Sequence, residues 1–240
     1  MYNNRDIPWK RITAEGGAIV VSILLAFWID AWWDERQERQ EEQQYLVALK
    51  TDFDQTRLIL KRSIDSHRDS SEKVRELRQI VKGPKDSHSD SELAGYLGAV
   101  FSMDYPTVLM GTYRDMVNSG DLRLITDDQL RVKLVQFEGE WEAYRENTIE
   151  EVWDQWNTIM VPYLIPRIDI VGAFPDGYRG FDVPGGVHPI DRDQLWSLEF
   201  QNILAVAMIG DLDVVLQGQE VLEIVSEILA LLEQEIQGES

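Results

Sequence analysis

Apolar residues dominate the sequence from Ile12 to Trp33, and this pattern predicts a helix that crosses a bilayer once. A bilayer core of about 30 Å requires roughly 20 apolar residues when each residue rises about 1.5 Å. Glu15 and Asp30 are the charged residues of this run, and each lies near one of its ends, where a carboxylate reaches water at modest cost. Five residues are predicted to mark the membrane interfaces: Trp9, Glu15, Trp28, Trp32 and Trp33.

Two other interpretations of this run are weaker. A buried helix of a soluble protein rarely carries so many consecutive apolar side chains. A cleavable signal peptide requires small residues at its cleavage site, whereas this run ends in tryptophans and acidic residues. We therefore predict an uncleaved signal anchor, with residues 1–11 as a short cytoplasmic tail. The Lys and Arg count only slightly favours this orientation, but a signal anchor with a short tail and a long downstream domain usually exports that domain.

Small residues recur at intervals of four within the predicted span. These residues lie on one face of the helix, where their short side chains allow a second backbone to approach closely: Ala14, Ala18, Ser22, Ala26 and Asp30. One interpretation is that the spans associate through this face. The other is that the spacing is chance, since small residues are common in membrane helices, and the sequence does not decide between the two.

The sequence from Asp34 to Lys82 has a helical pattern without proline or glycine. Its buried seam is predicted from residues that alternate in steps of three and four: Leu46, Leu49, Phe53, Thr56, Leu60, Ser63, His67, Ser70, Val74, Leu77 and Val81. This heptad seam is apolar at its ends and polar in its middle. No helix breaker separates Trp33 from it, so we predict that the membrane helix continues into the soluble domain as one rod.

Shorter helices are predicted after Gly83-Pro84, which ends the rod. Ser89 and Glu92 have capping-box spacing, as do Thr126 and Gln129 further along. Between these two boxes, a helix is expected to begin near Pro106 and to end at Gly120.

A long aromatic helix follows, and Pro162 and Pro166 are expected to end it. Its stripe is typical of a core face: Phe137, Trp141, Tyr144, Thr148, Val152, Trp156 and Ile159. Residues 167–190 are rich in proline and glycine and predict an irregular loop.

The last helix is predicted over 195–236, after a restart at Asp191 and Gln194. One face of it is apolar, through Leu222, Val225, Leu229 and Leu232. Charged residues interrupt this segment and argue against a second span: Asp211, Asp213 and Glu220. Gly210 and Gly218 are candidate kink positions. The expected fold is therefore all-α, an up-and-down bundle formed by residues 34–240 and mounted on one membrane helix, residues 12–33.

Composition restricts the chemistry of this domain. The formal net charge is −20, and an acidic surface repels the phosphates of nucleic acids, so nucleic-acid binding is not expected. The chain has no cysteine, which excludes a thiol nucleophile. No histidine lies in a metal-binding spacing. His67 lies on the seam, where Ser63 and Ser70 suggest a polar layer or a pH-sensitive position.

A cluster near the end of the irregular loop combines carboxylates with one imidazole: Asp182, His188, Asp191 and Asp193. Oxygen ligands with an imidazole suit a divalent ion, but this spacing matches no established motif. Asp191 also has a plain structural role as a helix N-cap. We therefore predict no metal ion and no cofactor.

Two patches of sequence follow a recurrent pattern. In the first, Glu15, Ala26, Ile29 and Trp32 are followed by Tyr45-Leu46 and Leu49-Lys50; the second comprises Thr112-Tyr113, Ser119-Gly120, Leu122, Leu124-Ile125 and Leu130-Arg131. Together they resemble an uncharacterised bacterial family of single-span proteins, a domain of unknown function. Its membrane segment reads Gly-Glu-Ile, an apolar run and Ala-Leu-x-Ile-Asn-Asn-Trp-Asn-Glu. Here Asp30 replaces an asparagine, Ser22 a glycine and Trp28 a glutamine.

This resemblance implies an anchored helical protein of the bacterial inner membrane, without an established enzymatic activity. We accordingly expect a non-enzymatic protein that acts by association, as a scaffold, adaptor or sensor module. Its expected partners are the lipid bilayer and either further copies of itself or another membrane protein. Two alternatives stay open: an extracytoplasmic metal-dependent hydrolase built on residues 167–193, and a helical bundle that binds a small ligand beside the aromatic stripe.

Overall fold

The computed structural model describes residues 9–100, 104–169 and 189–238, and at positions 9–16, 18 and 19 it describes the backbone alone. All regular elements in these ranges are helical, which confirms the all-α class. The main helices are α1 (Trp9–Ile80), α2 (Asp90–Val100), α3 (Gly111–Ser119), α4 (Asp128–Tyr144), α5 (Glu150–Gln155), α6 (Val161–Leu164), α7 (Arg192–Leu195) and α8 (Leu198–Gly238). A 3₁₀ turn covers Asp121–Leu124.

Helix α1 is a single rod of 72 residues, so the prediction of continuity through Trp33 is confirmed. All eleven seam residues from Leu46 to Val81 are buried. The seam packs mainly against α8. Lys50 pairs with Glu233 and His67 pairs with Asp211, which shows that α8 runs antiparallel to α1. The heptad pattern thus describes the packing of two helices within one chain.

Helix α8 contributes buried residues at a spacing of seven to the packing against this seam. Leu204, Asp211, Gly218, Val225 and Leu232 are all buried. The glycines do not interrupt α8, and their role is close packing. A Cβ at Gly218 would lie 2.9 Å from the hydroxyl of Tyr144 and 3.2 Å from Ile64, and separations below 3 Å force a neighbour to shift.

The predicted aromatic helix is a continuous helical segment from α4 to α6, with π-helical turns at Arg145–Ile149 and Trp156–Met160. A π turn inserts one extra residue and rotates the following side chains. Phe137, Trp141, Tyr144 and Thr148 are buried as predicted, but Ile159 is 47% exposed and Met160 is buried instead. Pro162 does not end the helix, which continues through α6 to Leu164.

Helix starts and ends were only partly predictable. Ser89 and Glu92 form the expected capping box, with the Ser89 N–H donating to Glu92 at 2.7 Å. Asp191 caps α7 as predicted, and Gly120 ends α3 with a φ of 82°, a conformation that favours glycine. Thr126 is not an N-cap, since Asp127 takes that role and accepts from the N–H of Leu130.

The connection from α2 to α3 corrects another prediction. Helix α3 begins at Gly111, and residues 104–110, which include Pro106, are not helical. Extended backbone lacks helical hydrogen bonds and must find other partners when it is buried. Thr56 supplies two of them, since its hydroxyl accepts from the N–H of Leu109 at 3.0 Å and donates to the Leu109 carbonyl at 3.4 Å.

The predicted span, residues 12–33, is part of α1. The side chains of Trp9, Ala14, Glu15 and Ala18 lie outside the described residues, as do positions 170–188 with Asp182 and His188. In the part of the chain that the structure describes, no helix combines the length and the apolar character that crossing a membrane requires.

Candidate functional site

Helix α1 extends well beyond the bundle. Every residue from Val20 to Glu41 is exposed, and Glu42 is the first buried residue of α1 after them. We name residues 20–33 the apolar projection and residues 34–41 the polar stalk. The stalk consists only of Asp, Glu, Arg and Gln, so its exposure is expected, whereas that of the projection requires an explanation.

The apolar projection exposes large hydrophobic side chains on all sides. Between 48% and 68% of each is accessible in Val20, Val21, Leu24, Leu25, Phe27, Trp28, Ile29, Trp32 and Trp33, and Ile23 is 50% accessible. Consecutive helical residues are about 100° apart around the axis, so these side chains cover most of the circumference and leave only the narrow strip of Ser22, Ala26 and Asp30. A helix that is apolar all round is stable inside a protein core or in a membrane, not in water.

Three predicted interface tryptophans lie at the bundle end of the projection. The rings of Trp32 and Trp33 are 6.4 Å apart, and the guanidinium of Arg36 lies over Trp32 at 5.8 Å. An indole flanked by apolar residues on one side and a cation on the other suits the boundary between lipid and water. Ser22, Ala26 and Asp30 follow at intervals of four on the same exposed helix, and their role in association stays a prediction.

Polar contacts join the base of the stalk to the bundle. The buried Glu42 carboxylate accepts from both the N–H and the hydroxyl of Thr126, at 2.6 and 2.8 Å. Tyr45 donates to Asp121 at 3.0 Å, and Arg123 pairs with Glu38 at 2.9 Å. The turn between α3 and α4 therefore holds α1 at the point where it leaves the bundle.

The middle of the seam forms a buried polar layer, as predicted for His67, Ser63 and Ser70. His67 Nδ1 lies 2.7 Å from Asp211 Oδ1, and Nε2 lies 3.0 Å from the carbonyl oxygen of Asp104. The Ser63 hydroxyl donates to the same carbonyl at 3.4 Å, and Ser70 donates to the carbonyl of Ala99. The seam is polar here because it holds the backbone that connects α2 to α3.

The contacts of His67 favour its imidazolium form. Both ring nitrogens face oxygen atoms, and only the imidazolium donates from both nitrogens. Burial by itself lowers the pKa of His67, but the hydrogen bonds to the Asp211 carboxylate and the Asp104 carbonyl outweigh it, and the pKa is raised above its usual value. In the protonated form, His67 and Asp211 make a buried ion pair between α1 and α8.

A small cavity of about 20 Å³ adjoins this pair, lined by His67, Trp156, Gly210 and Asp211 among others. That volume suits about one water molecule. The indole N–H of Trp156 is buried there without a hydrogen-bond partner among the described residues. The cavity lies beside the aromatic stripe and is too small for any molecule larger than water; the ligand-binding alternative stays a prediction.

The carboxylates near the irregular loop do not converge within the described residues. No group of three or more potential metal ligands occurs in the described part of the chain. Asp191 accepts from the N–H groups of Asp193 and Gln194 as an N-cap, and Asp193 pairs with Lys85. Asp182 and His188 lie outside the described residues, so the metal hypothesis gains no support.

We expect the stability of the bundle to fall at alkaline pH because of His67. A histidine whose pKa is raised on folding contributes its full stabilisation below the unfolded pKa, near 6.5, and this contribution is lost as pH rises through the folded pKa. Denaturant titrations of the full-length protein in detergent should therefore show a free energy of unfolding that declines across that range. In His67→Gln the decline should be absent; an unchanged decline would assign it to another group.

No family model, curated protein or solved structure matches this chain. The assignment of a function therefore depends on the burial, contacts and charges of the chain itself.

Proposed function

We propose that this protein is a membrane-anchored, non-enzymatic helical protein that acts by association, as a scaffold, adaptor or sensor module. One observation supports this proposal above all others: the apolar projection exposes large hydrophobic side chains around most of its circumference. Lipid is the medium that such a surface favours. With the residues before it in α1, the projection completes the span predicted at positions 12–33.

The bundle is proposed to lie on the extracytoplasmic side of a bacterial inner membrane. This placement follows the behaviour of signal anchors and the resemblance of the membrane segment to the single-span family. The polar stalk, residues 34–41, then spaces the bundle from the bilayer by roughly 12 Å. Its base is clamped by Glu42 and Thr126, so the anchor and the bundle move as one body. Association within the membrane is thereby coupled to the orientation of the bundle.

Membrane fractionation tests this proposal. The full-length protein is expressed in a bacterium, and washed membranes are assayed for it without detergent. We expect the wild type to stay with the membranes and the double variant Leu24→Arg, Leu25→Arg to be largely lost from them, because each Arg at the centre of a span costs about 2.5–3.5 kcal/mol.

The matched control places the same charges on the bundle portion of the same helix. Val47 and Leu58 are also exposed, at 53% and 52%, and the double variant Val47→Arg, Leu58→Arg should remain in the membrane fraction. A wild-type protein found in the soluble fraction overturns the proposal, and so does equal loss of both double variants.

A further inference from the structure

We propose that two copies of this protein, anchored side by side in one membrane, dock through an exposed apolar strip on α8. The strip is defined by Leu198, Ala205, Ile209, Leu212 and Leu216. This inference rests on the proposed membrane anchoring, and it adds the surface, the occupant and the orientation of the association.

The strip is a second apolar face of α8, and it is exposed in the described part of the chain. Leu198 precedes Ala205 by seven residues, and the later residues follow at steps of four, three and four, so all five lie on one side of α8. Leu198 is 74% exposed, Ile209 56% and Leu216 60%. The other heptad face of α8, through Leu204 and Gly218, is buried against α1. Further along α8, the exposed positions Glu223, Ser226 and Glu227 are polar, so the apolar exposure is confined to the first half of the helix.

The strip lies too far from the membrane for lipid to cover it. Asp211 contacts His67, which places the neighbouring Leu212 level with that part of α1. From Trp33 to His67, the rod covers roughly 50 Å at about 1.5 Å per residue. The strip is thus at the membrane-distal end of the bundle, and a protein surface is the apolar partner that it can reach.

Charges flank the strip with opposite signs on its two sides. On the α1 side, Arg78 reaches Met208 with its guanidinium 3.8 Å from the sulfur. Arg75 lies on the side of α1 where Ile64 contacts Gly218. Arg68 lies on the same side and pairs with Asp65 at 2.8 Å, so Arg75 and Arg78 carry the positive charge of this ridge. On the other side, the flanking residues of α8 are the exposed Asp213 and Glu220.

This order of basic ridge, apolar strip and acidic ridge is self-complementary in one orientation. When two copies are related by a two-fold axis parallel to α8, the basic ridge of each faces the acidic ridge of the other. An antiparallel pairing brings like charges together and is disfavoured. Independently of charge, two copies are parallel when their α1 helices enter one membrane from the same side. The anchor and the charge pattern therefore select the same arrangement.

The absence of cysteine from the chain makes disulfide crosslinking a direct test. Leu198→Cys and Leu216→Cys variants of the full-length protein are oxidised in native membranes. In the parallel dimer each variant should crosslink to itself, because equal positions face each other across the axis. In an antiparallel dimer neither variant crosslinks alone, but a mixture of the two does. The control Ser226→Cys, exposed on the polar half of α8, should stay monomeric.

Charge exchange tests the flanking ridges. Arg78→Glu and Asp213→Arg, each combined with Leu212→Cys, should reduce the crosslinked fraction several-fold when expressed alone. Co-expression of the two should restore it, because the mixed dimer again pairs opposite charges on both sides. Self-crosslinking of Ser226→Cys as strong as that of the strip variants overturns the proposal. Failure to crosslink at all strip positions, with the protein still in the membrane fraction, also overturns it but leaves the anchor intact.

Discussion

Substitution of Asp211 by alanine is expected to lower the free energy of unfolding by about 3–5 kcal/mol. The wild-type carboxylate is 6% exposed and lies 2.7 Å from Nδ1 of His67. Without it, the imidazolium between α1 and α8 is either buried without a counter-ion or loses its proton. In the second case, one ring nitrogen no longer donates, and one side of the His67 contact is left unsatisfied. Both outcomes destabilise the same helix pair.

Denaturant titration of the full-length protein in detergent measures this loss. Glu223→Ala is the matched control, since Glu223 is an exposed carboxylate on the same helix, and it should change stability by less than about 0.5 kcal/mol. The double variant His67→Leu, Asp211→Ala should lose less than the sum of the two single variants, because no buried charge remains. A cost below about 1 kcal/mol for Asp211→Ala would contradict a buried ion pair.

The rod and its seam were predictable because periodicity alone determines them. The stretch from Asp34 to Lys82 contains no proline or glycine that would end a helix, and steps of three and four place one set of side chains on one helix face. The polar residues in the seam, such as Thr56 and Ser63, were located correctly. Their partners were not predictable, because these are backbone groups of the α2–α3 connection, which carries no sequence pattern.

Departures from the predicted fold arise where tertiary contacts outweigh local signals. Thr126 has the spacing of a capping box, but Glu42 from a distant part of the chain binds both its N–H and its hydroxyl, so the cap moves to Asp127. The two π turns shift the aromatic stripe by one residue at Met160, and no local pattern signals them. Pro162 follows the second π turn, and the helix continues past it to Leu164.

The candidate site was predictable in part for the same reasons. The run of large apolar residues from Val20 to Trp33 identifies the projection from sequence alone. Asp211, in contrast, was interpreted only as an interruption of an apolar helix. Its signal was present, since Asp211 lies seven residues from both Leu204 and Gly218, in the buried period of α8. The exposed strip could not be distinguished from core by sequence, because leucines at heptad spacing look alike on either face of a helix.

Substitution of Phe137 by alanine is expected to cost about 3–5 kcal/mol. Phe137 on α4 is 1% exposed, and its ring meets that of Phe53 on α1 edge to face, with centroids 5.0 Å apart. Such a pair contributes about 0.5–1.5 kcal/mol beyond the buried area. The loss therefore combines transfer of the ring, the cavity left behind and the aromatic contact, and it loosens α4 from the rod.

The control is Val135→Ala, two residues away on the same helix, where the side chain is 53% exposed; it should change stability by less than about 0.5 kcal/mol. Equal midpoints for Phe137→Ala and Val135→Ala would contradict the packing of α4 on α1. The expected difference also bears on function, because α4 follows the turn that grips the stalk through Thr126. A bundle loosened at Phe137 should therefore hold the anchor less rigidly, and in membranes the turn around Thr126 should become more accessible to protease than it is in Val135→Ala.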